Sequence, residues 1–480
     1  MKIQRHHFPL LLTLALALSV FWLAYFLQHQ GLPYDDAFIT LTYARNVAAG
    51  RGFVFNGGTP WLGTSAPLLA LLLAGLVSFS PRAGALLPLL SLWLGAGLWA
   101  VAVWLAFLIG RQLVDDWAGV AMAAMLATVG ALAYVIWAEY SLMMALLLGG
   151  FYLAMRSRQG WAGVLFGLAF LARGDSVLLA ALVGMLLWWQ QGRLPWRLIG
   201  GFTLVLLLWM LYAMPVLGNP LPATLGVKRA HRFMGAWPHL VVGFYQLMLR
   251  SPWFRQLRFL ILLGLWGWGC ALFWRRRQGW ALILLGWAGF YAVAYALLDV
   301  PFYFWYVTPL FASLGLSAAL VLAVQPRARG RWLVATLMLV LALLGWMDQQ
   351  RLAVRTARPS AKMAAYVRAG QWLQQHTSQD STVAAIEVGT IGYYSQRQVL
   401  DLLGLVTPGA KAYLRRKDTA GFFQVLAPDY YVRNQAFDTW GMTRQIHEAF
   451  YFRAHYSPVA TIPQEGQAPI VIYQRQNDGE

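Results

Sequence analysis

The chain has 480 residues, 59% hydrophobic and only 11% charged, with a mean hydropathy of +0.55, a composition that no water-soluble domain of this size tolerates. Its formal net charge is +19, but Lys and Arg are scattered between apolar runs rather than gathered on one basic domain, which argues against a nucleic-acid partner. Cys270 is the single cysteine and falls in an apolar segment, so the fold has neither an intrachain disulfide nor a cysteine metal cluster.

In chain order, residues 8–27 are the first run long enough for a hydrocarbon core of about 30 Å, which takes about 20 apolar residues. Lys2 and Arg5 precede it as in a signal peptide, but the run is too long for one and no small-residue cleavage site follows. It reads as a retained anchor. Further apolar runs lie near residues 64–79, 84–109, 118–137, 142–155, 162–171, 177–189, 198–214, 259–274, 280–298, 306–324 and 332–346. The second of these twelve, 64–79, is shorter and broken by Pro67 and Gly75. If it lies in the interface without crossing, about eleven spans remain. Arg111, Arg156, Arg158, Arg193, Arg197, Arg275, Arg276, Arg277, Arg327, Arg329 and Arg331 then all fall inside, as short cytoplasmic loops require.

This topology puts the N-terminus inside and everything after Trp346 outside. It also carries Asp35, Asp36, Glu139, Asp175 and Asp299 to the outer membrane face, leaving Asp115 and Asp116 inside. Charged groups beside a bilayer are costly and tend to be kept for function, so five converging carboxylates suggest a site. The plainer alternative is that they cap helices or pair with arginine.

The first outer loop, residues 28–83, contains G-L-P-Y-D-D-A-F-I-T-L-T-Y-A-R-N-V-A-A-G-R-G. Phe38, Leu41, Ala44, Val47 and Ala48 recur at helical spacing opposite Asp36, Thr40, Tyr43 and Asn46, and Gly50 suits a helix stop. The spacing predicts an amphipathic helix lying on the membrane. Asp35 suits its N-cap, but two adjacent carboxylates exceed what capping needs. Their repulsion raises one pKa, which suits a general base.

From Pro215 to Arg258 the chain carries Lys228, Arg229, Arg232, Arg250, Arg255 and Arg258 and no acid. Six uncompensated cations on the outer side suit a lipid phosphate and a phosphate leaving group. Lys228 and Arg229 are the first candidates, with His231 and Arg232 behind them. Contact with anionic headgroups is the bland alternative. Tyr303, Trp305 and Tyr306 follow Asp299, where they would stack on a sugar or lipid, or form an interfacial aromatic belt.

After residue 347 the character changes. A polar helix at 362–375 alternates with β-rich runs at 382–386, 398–402, 430–433, 459–462 and 469–473, the pattern of a small α/β domain. The expected architecture is mainly α: a polytopic transmembrane bundle over 1–347 and an extracytoplasmic α/β domain over 348–480.

Several motifs gain meaning together. Asp35-Asp36 is followed by Y-A-R-N, then G-x-G-x-V-x-N-G and G-T-S-A-P-L. Later come W-A-E-Y-S-L around Glu139, L-A-R-G-D around Arg173 and Asp175, G-N-P-L-P-A-T-L-G-V-K ending at Lys228, and I-G-Y-Y-S with V-L-D-L-L-G-L in the tail. This set resembles the GT-C superfamily of polytopic glycosyltransferases, and within it the branch that includes mycobacterial arabinofuranosyltransferases. Leu62 stands where relatives often carry Glu, and no Gly precedes Glu139.

The resemblance implies inverting transfer of a sugar from a polyprenyl-phosphate donor to a glycan, lipid or protein hydroxyl, on the outer face of a bacterial cytoplasmic membrane. It implies that Asp35 or Asp36 deprotonates the acceptor, that Lys228 and Arg229 hold the phosphate, and that Glu139, Arg173 and Asp175 line the sugar pocket. A divalent cation could bridge the acids and the phosphate, and carboxylate count alone does not decide this. The rival class is a transporter or flippase of a lipid-linked glycan, which an inverted repeat would favour. No such repeat is found, and the asymmetric first loop and appended outer domain suit an enzyme.

Overall fold

Leucine- and alanine-rich runs without interior charge satisfy their backbone polar groups internally as helices, the only open-ended element that lipid accepts. A computed structural model describes residues 3–476 apart from 30, 59, 79–80, 236, 326 and 358–360. In chain order the helices that matter here are α1 (Ile3–Gln28), α2 (Asp35–Ala48), α3 (Pro67–Val77), α4 (Leu87–Leu113), α5 (Asp116–Ala127), α6 (Leu132–Val135), α7 (Tyr140–Met155), α8 (Gln159–Ala172), α9 (Val177–Gln191) and α10 (Trp196–Leu217). They continue with α11 (Thr224–His231), α12 (Leu240–Leu249), α13 (Trp253–Arg275), α14 (Gly279–Leu298), α15 (Val307–Ala323), α16 (Arg327–Ala357), α17 (Ala361–His376) and α18 (Gly389–Ser395). Among the described residues, seven helices are long and apolar enough to cross a membrane by length and composition. The expectation of about eleven crossings also counts shorter helices such as α7, whose 16 residues rise about 24 Å.

The bundle is organised around α15, in which 14 of 17 residues are buried. Ala312, Ser313, Gly315, Ser317 and Ala318 keep that helix thin, so its neighbours approach closely, as small residues allow between membrane helices. Large apolar side chains such as Trp22, Leu208, Leu211 and Leu297 are exposed on the rim, where lipid covers them.

Two sequence expectations are corrected here. The run 118–137 is not one helix: it breaks between α5 and α6. The reason lies far away in sequence, since Arg258 and Gln349 take up the carbonyls that the break frees. Nor is α2 an exposed surface helix, for ten of its fourteen residues are buried and α18 packs across it. The run 64–79 is helical over Pro67–Val77, and Phe79 lies outside the described residues.

The tail folds as a five-stranded sheet in the order β2-β1-β3-β5-β4, with β1 Thr382–Ala385, β2 Gln398–Asp401, β3 Tyr430–Asn434, β4 Tyr456–Ile462 and β5 Ile470–Arg475. β1 pairs in parallel with β2 and β3, whereas β5 runs antiparallel to β3 and β4. All five strands fall on the β-rich runs seen in the sequence, β4 beginning three residues earlier than its run. In open α/β sheets ligands gather outside the carboxyl ends of the strands. Here those ends of β1 and β2 face the first loop and α11.

Candidate active site

The site begins at the N-terminus of α2. Tyr34 holds the N-cap position in extended conformation, with no side-chain cap. Asp35 and Asp36 follow as the first two helical residues, and neighbouring positions on a helix diverge by about 100°. The two carboxylates therefore enter different surroundings.

Asp35 turns away from the cleft. Its Oδ1 accepts the backbone N–H of Thr390 at 2.8 Å and its Oδ2 that of Gly389 at 3.0 Å, so it caps α18 rather than α2. Gly389 is required by this approach, since a Cβ there would lie 1.9 Å from the Asp35 carbonyl oxygen. Burial pushes Asp35 up to about 7, with Glu387 nearby adding to the shift and the N–H of Thr390 opposing it.

Asp36 turns into a cleft whose walls include Tyr34, Thr40, Thr64, Glu139, Arg173, Thr224, Lys228 and Trp305. Lys228 Nζ lies 3.7 Å from Asp36 Oδ2, an ion pair longer than a hydrogen bond. Burial raises the Asp36 pKa, while Lys228 pulls it down. The cavity holds about 30 Å³, room for little more than water. Thr40 and Thr64 hydroxyls bond to each other at 2.9 Å on its floor.

Glu139, Arg173 and Asp175 form one cluster. Arg173 donates to Glu139 Oε1 at 2.7 Å and grips Asp175 with Nε and Nη2 at 3.1 and 2.9 Å. Its guanidinium also lies 4.3 Å from the ring centroid of Tyr140. Glu139 and Arg173 line the cleft, whereas Asp175 stands behind Arg173 and accepts from Tyr295 at 2.6 Å.

The basic loop is less bare than its sequence. Lys228 faces Asp36 and lies 4.9 and 5.3 Å from the ring centroids of Tyr303 and Trp305. Arg229 is exposed and does not line the cleft. Arg232 pairs with Asp299, Arg255 with Asp348 at 2.6 Å, and Arg258 donates to the Thr128 carbonyl. The expectation of six uncompensated cations is thus corrected for Lys228, Arg232 and Arg255, which pair with Asp36, Asp299 and Asp348 from other parts of the chain that no local count reveals, while Arg258 meets only a carbonyl. The same pairing takes Asp299 out of the cleft, so the five outer acids do not converge as one group.

His231 joins the loop to the tail. Its Nε2 donates to the Leu403 carbonyl and its Nδ1 accepts from the Tyr303 hydroxyl, both at 2.9 Å, which requires the neutral ring. Burial pulls it down to about 4. Leu403 is held in turn by Asp401, the last residue of β2. That carboxylate accepts the N–H groups of Leu403, Leu405 and Val406 at 2.7, 2.6 and 3.1 Å, and burial lifts it to about 6 against those donors. The loop so formed offers the Leu405 carbonyl to Trp61 Nε1 at 2.9 Å.

These contacts explain motifs whose roles the sequence left open. Asn46 of Y-A-R-N donates to the carbonyls of Val54 and Phe55. Asn56 of the glycine-rich turn pairs with both backbone groups of Val399 on β2, and Arg45 donates to the Tyr393 carbonyl in I-G-Y-Y-S. Sequence reasoning did not single out Thr40, Thr64, Thr224 or Asp401 as site residues. G-T-S-A-P-L contained Thr64, V-L-D-L-L-G-L contained Asp401, and G-N-P-L-P-A-T-L-G-V-K contained Thr224.

Among the described residues no three His, Cys, Asp or Glu side chains converge. Asp36 faces Lys228, and Glu139 and Asp175 face Arg173, so each carboxylate near the cleft already meets a cationic side chain.

A family model described as a domain of unknown function (DUF8728) matches residues 353–476, and no curated protein matches the chain. Among solved structures, the apo oligosaccharyltransferase of Archaeoglobus fulgidus aligns over 97% of this chain and 76% of its own, with a TM-score of 0.59 and 14% identity. The same protein in complex with Zn and sulfate aligns over 92% and 69%, with a TM-score of 0.56 and 14% identity. Apo ArnT from Cupriavidus metallidurans aligns over 97% of each chain, with a TM-score of 0.52 and 13% identity. At such identities the likeness is one of fold: this chain shares with these structures a polytopic helical bundle carrying a small C-terminal sheet domain.

Proposed function

We propose that the chain is an inverting glycosyltransferase that moves a sugar from a polyprenyl-phosphate donor to an acceptor hydroxyl on the outer face of the membrane. The observation that carries this reading is the meeting of Asp36 and Lys228 in one cleft: a carboxylate made more basic by burial, opposite the cation of a helix rich in positive charge. A base near the acceptor and a positive charge near the leaving phosphate are the two needs of this reaction.

In the transfer, the acceptor oxygen attacks the anomeric carbon and its proton passes to Asp36. The bond from that carbon to the phosphate oxygen breaks, and the electron pair leaves with the polyprenyl phosphate beside Lys228. One displacement inverts the anomeric centre. Thr40, Thr64, Glu139 and Arg173 supply hydroxyl, carboxylate and guanidinium groups for the sugar. An apolar groove of about 400 Å³ between α12, α13, α14 and α15, with Phe244, Phe259, Trp266 and Leu310 in its walls, reaches Tyr295 and Tyr306 beside the Arg173 cluster. It suits the first units of an isoprenoid chain.

The test is to incubate the purified protein with a panel of polyprenyl-phosphate sugars and acceptors. The expected result is consumption of one donor by the native chain and none by Asp36→Asn. Equal turnover by the native and D36N proteins would overturn the reading, as would movement of the intact donor across vesicles without any transfer.

A further inference from the structure

A second polar pocket lies where α5 breaks before α6. Leaving the helix frees backbone carbonyls, which membrane-spanning segments tolerate only where the irregular backbone is buried in protein or lines a cavity. Both conditions hold here. Gln349 Nε2 donates to the Ala127 carbonyl at 3.1 Å and Arg258 Nη1 to that of Thr128 at 3.0 Å, and beside them opens a cavity of about 190 Å³. Its polar wall is Arg255, Arg258, Asp348 and Arg355, and its apolar wall includes Phe304 and Phe311.

The charges in this wall do not balance. Arg255 and Asp348 form a two-pronged pair, with Arg255 Nη2 2.6 Å and Nε 2.9 Å from Asp348 Oδ1. Arg258 is only 3% exposed, forms no ion pair among the described residues, and its Nε has no hydrogen-bond partner among them. Arg355 is exposed at the mouth. Asp348 is thus the single carboxylate in the pocket wall against Arg255, Arg258 and Arg355, and buried cations so sparsely compensated are expensive and tend to be kept for a ligand. The fold reserves room for Arg258: at Gly345 a Cβ would lie 2.3 Å from its guanidinium.

We propose that this pocket binds the phosphate headgroup of a membrane amphiphile. Arg258 and Arg355 meet the phosphate through their planar donor forks, and the first carbons of its chain lie along Phe304 and Phe311. The pocket is separate from the Asp36–Lys228 cleft. Phe304 stands between them, its ring 6.2 Å from Tyr34 on the cleft side and 4.9 Å from Tyr134 on the pocket side. The proposal therefore does not depend on the transfer reading.

The test titrates the full chain, in an uncharged detergent, with decyl phosphate, decanol and inorganic phosphate, following tryptophan fluorescence. Lys228→Met serves as the background, so that the transfer cleft does not contribute. Decyl phosphate is expected to bind saturably, at least about tenfold more tightly than decanol or inorganic phosphate. Adding Arg355→Ala, which leaves the Arg258 contact to Thr128 in place, is expected to weaken it by about tenfold, the size of one lost charge-assisted contact. Loss of binding in K228M alone would assign the phosphate to the transfer cleft and overturn the proposal. Unchanged binding in K228M/R355A would overturn it too, and equal binding of inorganic phosphate would show an anion site rather than a lipid site.

Discussion

The carboxylate of Asp35 accepts the backbone N–H of Thr390 at 2.8 Å, across 355 positions of sequence. That bond ties the first loop of the membrane bundle to the sheet domain, and it divides the Asp35-Asp36 pair into one residue that fastens and one that faces the cleft.

Asp35→Ala is expected to lower stability by about 1–3 kcal/mol, because it leaves two buried N–H donors without their acceptor. Asp35→Asn keeps one acceptor and should lose about half as much. Asp36→Asn should leave the thermal midpoint within a degree or two of the native chain. Thermal unfolding of the three variants in one detergent checks this, and a D36N midpoint as low as that of D35A would refute the division of labour.

The same residue predicts a pH dependence of stability. Burial raises Asp35 from 3.8 to about 7, so its contribution is full below about pH 4 and is lost as pH rises through 7. The native chain should therefore lose stability relative to D35N between about pH 4 and about pH 7 and show no further change above it. Melting curves of both proteins across that interval give the slope directly.

Catalysis should depend on Asp36 in rate more than in affinity. D36N is expected to slow transfer by about 10² to 10⁴, the usual span for a general base, while donor affinity stays within about threefold. Single-turnover rates and equilibrium donor binding separate the two quantities.

Burial raises Asp36 and Lys228 lowers it. The acidic limb of the kcat/KM profile should thus lie above the ordinary carboxylate range, and Lys228→Met should move it to higher pH as well as weaken donor binding. A limb that stays in place in K228M would show that another group sets it. His231, held neutral by burial, should contribute no inflection near pH 6.5.

Arg173→Met should destabilise by about 3–5 kcal/mol, because it leaves Glu139 and Asp175 as buried charges without a partner. Glu139→Gln should cost less, since Asp175 still holds Arg173. Denaturation of the two variants should rank them in that order.

Much of this was legible from residue order. Runs of Leu and Ala announce helices, the β-branched and aromatic runs of the tail announce five strands, and Asp36, Glu139, Arg173 and Lys228 carry charge where an apolar chain can least tolerate it. The amphipathic pattern of α2 was equally plain, but periodicity reports only that one face is apolar. Lipid and protein satisfy that face alike, so its burial under α18 was invisible. The basic stretch around Lys228 seemed unpaired because Asp299, Asp348 and the Thr128 carbonyl reach Arg232, Arg255 and Arg258 only through the packing of separate helices.

By itself, then, the order of residues determined a polytopic helical protein with an appended α/β domain and a short roster of charged candidates, because hydropathy and backbone preference act locally. Tertiary structure alone decided which acid faces the cleft, which cations keep charge to spare and where a helix breaks. Those outcomes depend on groups hundreds of positions apart, and a charge takes its meaning from the partner that packing brings to it.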